Sequence, residues 1–189
     1  MDFKDSDLMV KYGNSYSPSE SVCFNSCNID TMVLSNFWPC KIRYNDVMYH
    51  SVEQLFVWRL LDMYDGMGEY KEKVMSYKGI NNGYKIKRDR GIQDVLSELE
   101  EDYEKKNGKE GLLLMEWELL RDCVELKFKF CKEYREKLKE CKGKRIVESC
   151  PWGDYIFGAV WNKEKRVYEG VNASGRCAQW VMKKYLMVL

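Results

Sequence analysis

Histidine is all but missing from this chain: one residue, His50, stands among 189, beside only three prolines. A Ser-His or Cys-His nucleophile would have to use that imidazole, and nothing else in the sequence completes a triad around it. Eight cysteines are present, but no C-x-x-C pair; Cys23 and Cys27 are the only close pair and have no matching second pair. Structural zinc wants paired ligands on tight turns, so neither metal nor cofactor is expected, and the cysteines read as free thiols of a reducing compartment. No segment approaches the ~20 apolar residues of a membrane span. The opening Met1-Asp2-Phe3-Lys4-Asp5 is acidic and carries no apolar h-region. A signal peptide is therefore not expected, and the expected location is cytoplasmic. Net charge is only +1, too little for a global field that would draw the protein to nucleic acid or membrane. The phosphate loop G-x-x-x-x-G-K-[ST], the dinucleotide fingerprint G-x-G-x-x-G, the nucleophile elbow G-x-S-x-G and the zinc motif H-E-x-x-H are all absent.

What is there suits one soluble domain. Apolar residues make up 45% and charged residues 32%, and the length suffices for a sizeable core. Residues 1–30 are rich in Ser, Asn and Asp and read as a loop-rich extension, with a short strand near Leu8–Tyr12. Residues 31–189 carry the periodicities of a domain. Thr31–Leu34 is expected as a strand, and Cys40–Tyr44 with Val47–His50 as a hairpin turning at Asn45-Asp46. Ser51 reads as a helix N-cap, with Gln54 completing a capping box. The helix that follows, to about Asp62, is apolar nearly all round: Val52, Leu55, Phe56, Val57, Trp58, Leu60 and Leu61. It should be central and buried.

Further helices are expected over Glu69–Tyr77, Ile92–Lys105 and Leu112 to about Cys141. Between the first two lies a basic loop with a turn at Asn81-Asn82-Gly83. A strand at Arg145–Glu148, an aromatic loop over Ser149–Gly158, a hairpin around Asn162–Lys165 and a last helix after Gly175 complete the reading. The expected fold class is α+β, predominantly helical, with short hairpins around a central helix.

Two carboxylates stand out. Glu53 lies in the first turn of the apolar helix, above Phe56, Val57 and Leu60, where a carboxylate is costly unless paired or protonated. Asp154 lies among Trp152, Tyr155 and Phe157. Two carboxylates in unlike environments can divide the roles of acid and base, although most carboxylates are solvated surface groups. The cluster Lys85, Lys87, Arg88 and Arg90 could hold a phosphate, and reads equally as a solvated loop. The loop aromatics Phe37, Trp38 and Phe157 could stack a planar base or pack their loops against the core.

Three blocks, in order, resemble the YbiA-like or NADAR (NAD and ADP-ribose) family. The first is Ser35-Asn36-Phe37-Trp38-Pro39, then a strand and turn, then Ser51-Val52-Glu53 with Phe56 three residues on. The second is Lys127-Phe128, Ile146-Val147-Glu148 and Asp154-Tyr155-Ile156-Phe157-Gly158. The third is Gly170-Val171-Asn172-Ala173-Ser174-Gly175. Val57 and Leu60 stand where the family usually carries Gln and Lys, Phe157 where it carries Trp, and Ser174 where it carries Leu. Arg59, Lys127 or the Lys85–Arg90 cluster is then left to supply a cation.

The resemblance implies a single YbiA-like domain with N-glycosidase activity, cleaving ribose (as ADP-ribose or ribose phosphate) from a nucleobase-like group. The implied partner is an ADP-ribosylated or phosphoribosylated base, free or attached to nucleic acid, with no membrane and no metal. Glu53 is the expected catalytic carboxylate, activating water or stabilising an oxocarbenium ion. Asp154 is expected to position the ribose hydroxyls or to serve as the acid. Substrate binding falls to Ser35, Asn36, Phe37, Trp38, Lys127, Phe157, Gly158, Gly170, Asn172 and Gly175. Within that set Asn36 and Asn172 would bond ribose or base edges, the aromatics would wall the base, and Gly170 and Gly175 would let backbone approach a phosphate. The alternative is a catalytically weak or inactive nucleotide-binding module.

Overall fold

The computed structural model describes residues 14–186. Among these the order of elements is β1 (Ser15–Tyr16), β2 (Ser21–Phe24), β3 (Ile42–Tyr44), β4 (Val47–Tyr49), α1 (Val52–Asp62), α2 (Gly68–Ser76), α3 (Asn82–Arg88), α4 (Arg90–Phe130), α5 (Lys132–Glu140), β5 (Arg145–Glu148), β6 (Val160–Asn162), β7 (Val167–Glu169) and α6 (Ala173–Leu186). The fold is α+β and predominantly helical. The chain forms two compact units, one of Asn36–Cys131 and one of the segments on either side of it.

In the central unit, Asn45 and Asp46 take φ of 46° and 60°. These are the left-handed conformations of a type I′ turn. They fix the register of β3 against β4, with Ile42 opposite Tyr49 and Tyr44 opposite Val47. Helix α1 then starts as its sequence dictates. Ser51 is extended, and its side chain accepts from the Gln54 N–H. Gln54 reaches one residue further back than a capping box requires, its Oε1 accepting from the His50 N–H at 2.7 Å. Val52, Leu55, Phe56, Val57, Leu60 and Leu61 are all buried. At roughly 1.5–3 kcal/mol for each fully buried side chain of this size, they anchor the unit.

Gln54 is itself fully buried and ties α2 to α1. Its Nε2 donates to the carbonyls of Val74 (2.9 Å) and Tyr77 (2.8 Å), which lie at the C-terminal end of α2, where carbonyls lack helical partners. Asp89 caps α4, accepting from the Ile92 N–H, from Lys73 Nζ at 2.8 Å and from the Tyr77 hydroxyl.

Three expectations change in this unit. Asn81-Asn82-Gly83 is not a turn between helices but the start of α3, with Asn82 and Gly83 buried. The helices expected over 92–105 and from 112 run together as α4, interrupted only at Gly108 (φ 76°, ψ 164°). The second of them stops short of Cys141, because Cys131 is extended (φ −104°, ψ 109°) and a separate helix, α5, follows.

The other unit holds a parallel pair, β2 with β5, and a three-stranded antiparallel sheet in the order β1-β7-β6. The stretch expected as a loop-rich extension thus contributes two strands among residues 14–30. The strand expected near Leu8–Tyr12 lies outside the described residues. Thr31–Leu34 is not a strand: Met32–Leu34 form a 3-10 turn closed by the Ser35 N–H on the Met32 carbonyl. Helix α6 buries Cys177, Ala178, Val181 and Met182, the face that its spacing predicts.

Candidate functional site

In the central unit, the start of α1, the loop before β3 and helix α3 converge. The Glu53 N–H donates to the Asn36 carbonyl at 3.1 Å, one of the first-turn amides that a helix leaves without an internal partner. The loop is thereby tied to the helix N-terminus, with Phe37 beside Glu53. Helix α3 closes on the same place. Ser51 Oγ donates to Asn82 Oδ1, and Asn82 Nδ2 donates to the His50 carbonyl at 3.1 Å. The next residue must be Gly83. A Cβ there would stand 2.7 Å from Phe37 Cδ1 and 3.2 Å from Glu53 Cβ. Tyr84 stacks on Phe37, with ring centroids 4.8 Å apart and planes 12° apart. This parallel stack lies beside the first turn of α1 that carries Glu53.

Burial raises the Glu53 carboxyl above the ordinary range, and the positive charge of Lys87 opposes that rise. Lys87 lies one helical turn beyond Gly83 on α3, so one short helix supplies the wall, the stacked ring and the cation. A carboxyl shifted upward by desolvation exchanges protons nearer to neutral pH than a solvated one, which suits acid–base work.

Other expected residues lie elsewhere in the unit or serve different ends. Trp38 is half-buried on the loop after Phe37. Lys127 has no exposed surface and sits on the buried face of α4. Val57 and Leu60, at 2% and 4% exposure, belong to the core. Arg59 lies over the Tyr44 ring, with its guanidinium 3.6 Å from Asp122.

The remaining expected residues lie in the other unit, all but Ser35 around the entry to α6. Ser35 is buried at the close of the 3-10 turn. Asp154 is bonded within its own loop: Oδ1 accepts from the N–H groups of Ile156 (3.0 Å) and Phe157 (2.9 Å). Asn172 has no exposed surface. Its Nδ2 donates to the Ile146 carbonyl and its Oδ1 accepts from the Glu148 N–H, each at 2.9 Å. The hydrogen bonds expected for a ribose or base are instead made to β5.

The phosphate cradle expected at the start of α6 is also filled. The N–H groups of Val171, Asn172, Ala173 and Ser174 donate to the carbonyls of Tyr155, Gly158, Ile156 and Phe157. The glycines serve close packing. A Cβ at Gly175 would meet the Ile146 carbonyl and the Asn172 amide, one at Gly158 would meet Cys150, and one at Gly170 would meet the Gly158 carbonyl.

Sequence reasoning missed Asn82, Gly83 and Tyr84, and placed Lys87 only within a basic cluster. The available signal was the spacing Asn82–Ile86 and Gly83–Lys87, four residues apart across what read as a turn.

No family model matches this chain, and no curated protein matches it. Among solved structures, the NMR structure of the E. coli protein YbiA is similar, with a TM-score of 0.57 at 15% identity over 95% of this chain and 91% of that one. At that identity the likeness is one of fold.

Proposed function

We propose that this protein is an N-glycosidase of the NADAR type. It would hydrolyse the bond between a ribose, carried as ADP-ribose or ribose phosphate, and a nucleobase-like group, as in removal of ADP-ribose from guanine. The observation that carries the reading is Glu53. It is a carboxylate raised by burial, in the first turn of a buried helix, beside a stacked aromatic pair and a lysine, within a fold similar to YbiA.

The chemistry follows from those groups. As the C–N bond breaks, its electron pair leaves on the base nitrogen and positive charge develops at the anomeric carbon. An ionised Glu53 stabilises that charge and takes a proton from the water that adds to the carbon; that proton then passes to the departing nitrogen, which leaves Glu53 ionised again. Phe37 and Tyr84 offer faces on which a planar base can stack.

The test is incubation with ADP-ribosylated guanosine, followed by chromatography of the products. The wild type should release ADP-ribose and guanosine. Glu53→Gln should lose turnover by on the order of 10²–10⁴-fold with an unchanged thermal midpoint. Wild-type turnover in Glu53→Gln would refute the assignment.

A second reading is a nucleotide-binding module without turnover. It is favoured by the burial of Val57 and Leu60, at the positions where the family resemblance places a Gln and a Lys. Affinity for ADP-ribose without hydrolysis would select it.

A further inference from the structure

Helix α3 has seven residues, too few to hold its own shape in water. Its buried positions are Asn82, Gly83 and Ile86, so Ile86 is the one large apolar side chain that α3 buries. Burial of that side chain is non-directional and acts about one turn beyond Gly83. It does not fix how the first turn of α3 is placed. Hydrogen bonds do. Asn82, fully buried, donates from Nδ2 to the carbonyls of His50 (3.1 Å) and Gly79 (2.9 Å), and its Oδ1 accepts from Ser51 Oγ. Ser51 Oγ in turn accepts from the Gln54 N–H at 3.1 Å. A chain of bonds thus runs from the start of α1 to the start of α3, and Glu53 stands between its members Ser51 and Gln54. The amide has one orientation, because turned over its oxygen would face two carbonyl oxygens. The residues that follow Asn82 wall the site: Gly83 lies against Phe37 and Glu53, and Tyr84 stacks on Phe37.

We propose that Asn82 is a positioning residue for the Glu53 site: its side-chain amide, bonded through Ser51 to the start of α1, sets where Gly83 and Tyr84 stand against Glu53 and Phe37. Its catalytic meaning rests on the glycosidase reading. A buried amide that lost these partners would be costly, so α3 docks where all three bonds are made.

The test combines proton NMR of the full chain without substrate and kinetics with ADP-ribosylated guanosine. In the wild type, Gly83 Hα should show cross-relaxation to Glu53 Hβ, and the Phe37 ring to the Tyr84 ring. Asn82→Leu, of similar volume but unable to bond, should lose both signals while the chain stays folded. It should lower kcat by about 10²-fold, the scale of a small misplacement of reacting groups. Ser51→Gly removes only the hydroxyl and keeps an acceptable helix cap, so it should weaken both signals, and it should fold even where Asn82→Leu does not. Asn82→Asp should lose the signals at neutral pH, where a carboxylate would face two carbonyls, and regain them as acid protonates it. A purely structural Asn82 would lower the thermal midpoint and leave the signals and kcat at their wild-type values. That outcome in folded Asn82→Leu or Ser51→Gly would overturn the proposal. A wild type without turnover would refute the glycosidase reading, and the substrate-free signals would still decide whether Asn82 places α3.

Discussion

Replacing Gly83 by alanine sets two effects of opposite sign against each other. Alanine is the better helix former, by about 0.5–1 kcal/mol. Against that, the new methyl would lie 2.7 Å from Phe37 Cδ1 and 3.2 Å from Glu53 Cβ, where carbon atoms rest at about 3.5–4.0 Å. The Phe37 ring cannot retreat freely, because Tyr84 stacks on it at 4.8 Å. Overpacking of this kind costs about 1–3 kcal/mol, so at the middle of both ranges the clash should win by about 1 kcal/mol. For a chain of this size that lowers the thermal midpoint by a few degrees.

Gly68→Ala provides the contrast, since a Cβ at Gly68, also a first-turn helical position, meets nothing within 4 Å. It should leave the midpoint level or raise it. Circular dichroism melts read the midpoints, and the near-ultraviolet band reads the aromatic stack. Calorimetry with ADP-ribose reads the site, and Gly83→Ala should weaken any binding there. If Gly83→Ala raised the midpoint as Gly68→Ala does and left the aromatic band unchanged, the close approach of α3 to Glu53 would be refuted.

Two further outcomes follow from side chains held by several partners. Asp89 is held at about 2 by hydrogen bonds from Lys73 and Tyr77, against an ordinary 3.8. Its folded value lies below its unfolded one, so its contribution is complete above about pH 4 and is lost as pH falls toward about 2. Because Lys73 is 43% exposed, solvent screening reduces that contribution to about 1–2 kcal/mol. Urea titrations across that range should show a steeper loss in the wild type than in Asp89→Asn, and equal slopes would contradict the linkage. Asn172→Ala strips partners from the Ile146 carbonyl and the Glu148 N–H. At about 1–3 kcal/mol for each buried unsatisfied group, the loss should be about 2–6 kcal/mol by chemical denaturation. A loss under about 1 kcal/mol would show that Asn172 does not pin β5.

Much of the central unit was legible because its signals are local. The Asn45-Asp46 pair announced the hairpin, and Ser51 with Gln54 announced the start of α1. The apolar run Val52–Leu61 announced that α1 would be buried. Helix ends were harder to read. The apolar spacing from Leu113 through Phe128 continues smoothly to Cys131, and no Gly or Pro marks the break there. Gly108 misled in the other direction, because an interruption of one residue reads as a helix end. Helix α3 was hidden by its own first residues, since Asn-Asn-Gly is turn chemistry wherever tertiary partners do not override it.

Glycines before a helix allow backbone to approach a phosphate, which is what the third resemblance block implies. Its N–H groups instead meet the carbonyls of 155–158.

By itself, then, the sequence determined the hairpin, the capped and buried α1, the placement of Glu53 in its first turn and the α+β class. Each depends on residues within a turn or two of one another, where periodicity and capping act. Only the tertiary structure decided what surrounds Glu53. Ser51 meets Asn82 across 31 residues and Asn172 meets Glu148 across 24, and Gly83, Tyr84 and Lys87 reach Glu53 only once α3 has docked. Such encounters are set by packing between distant segments, which no local pattern encodes. The same holds for Asn172 and Gly175, whose close packing against β5 is made by residues more than twenty positions away.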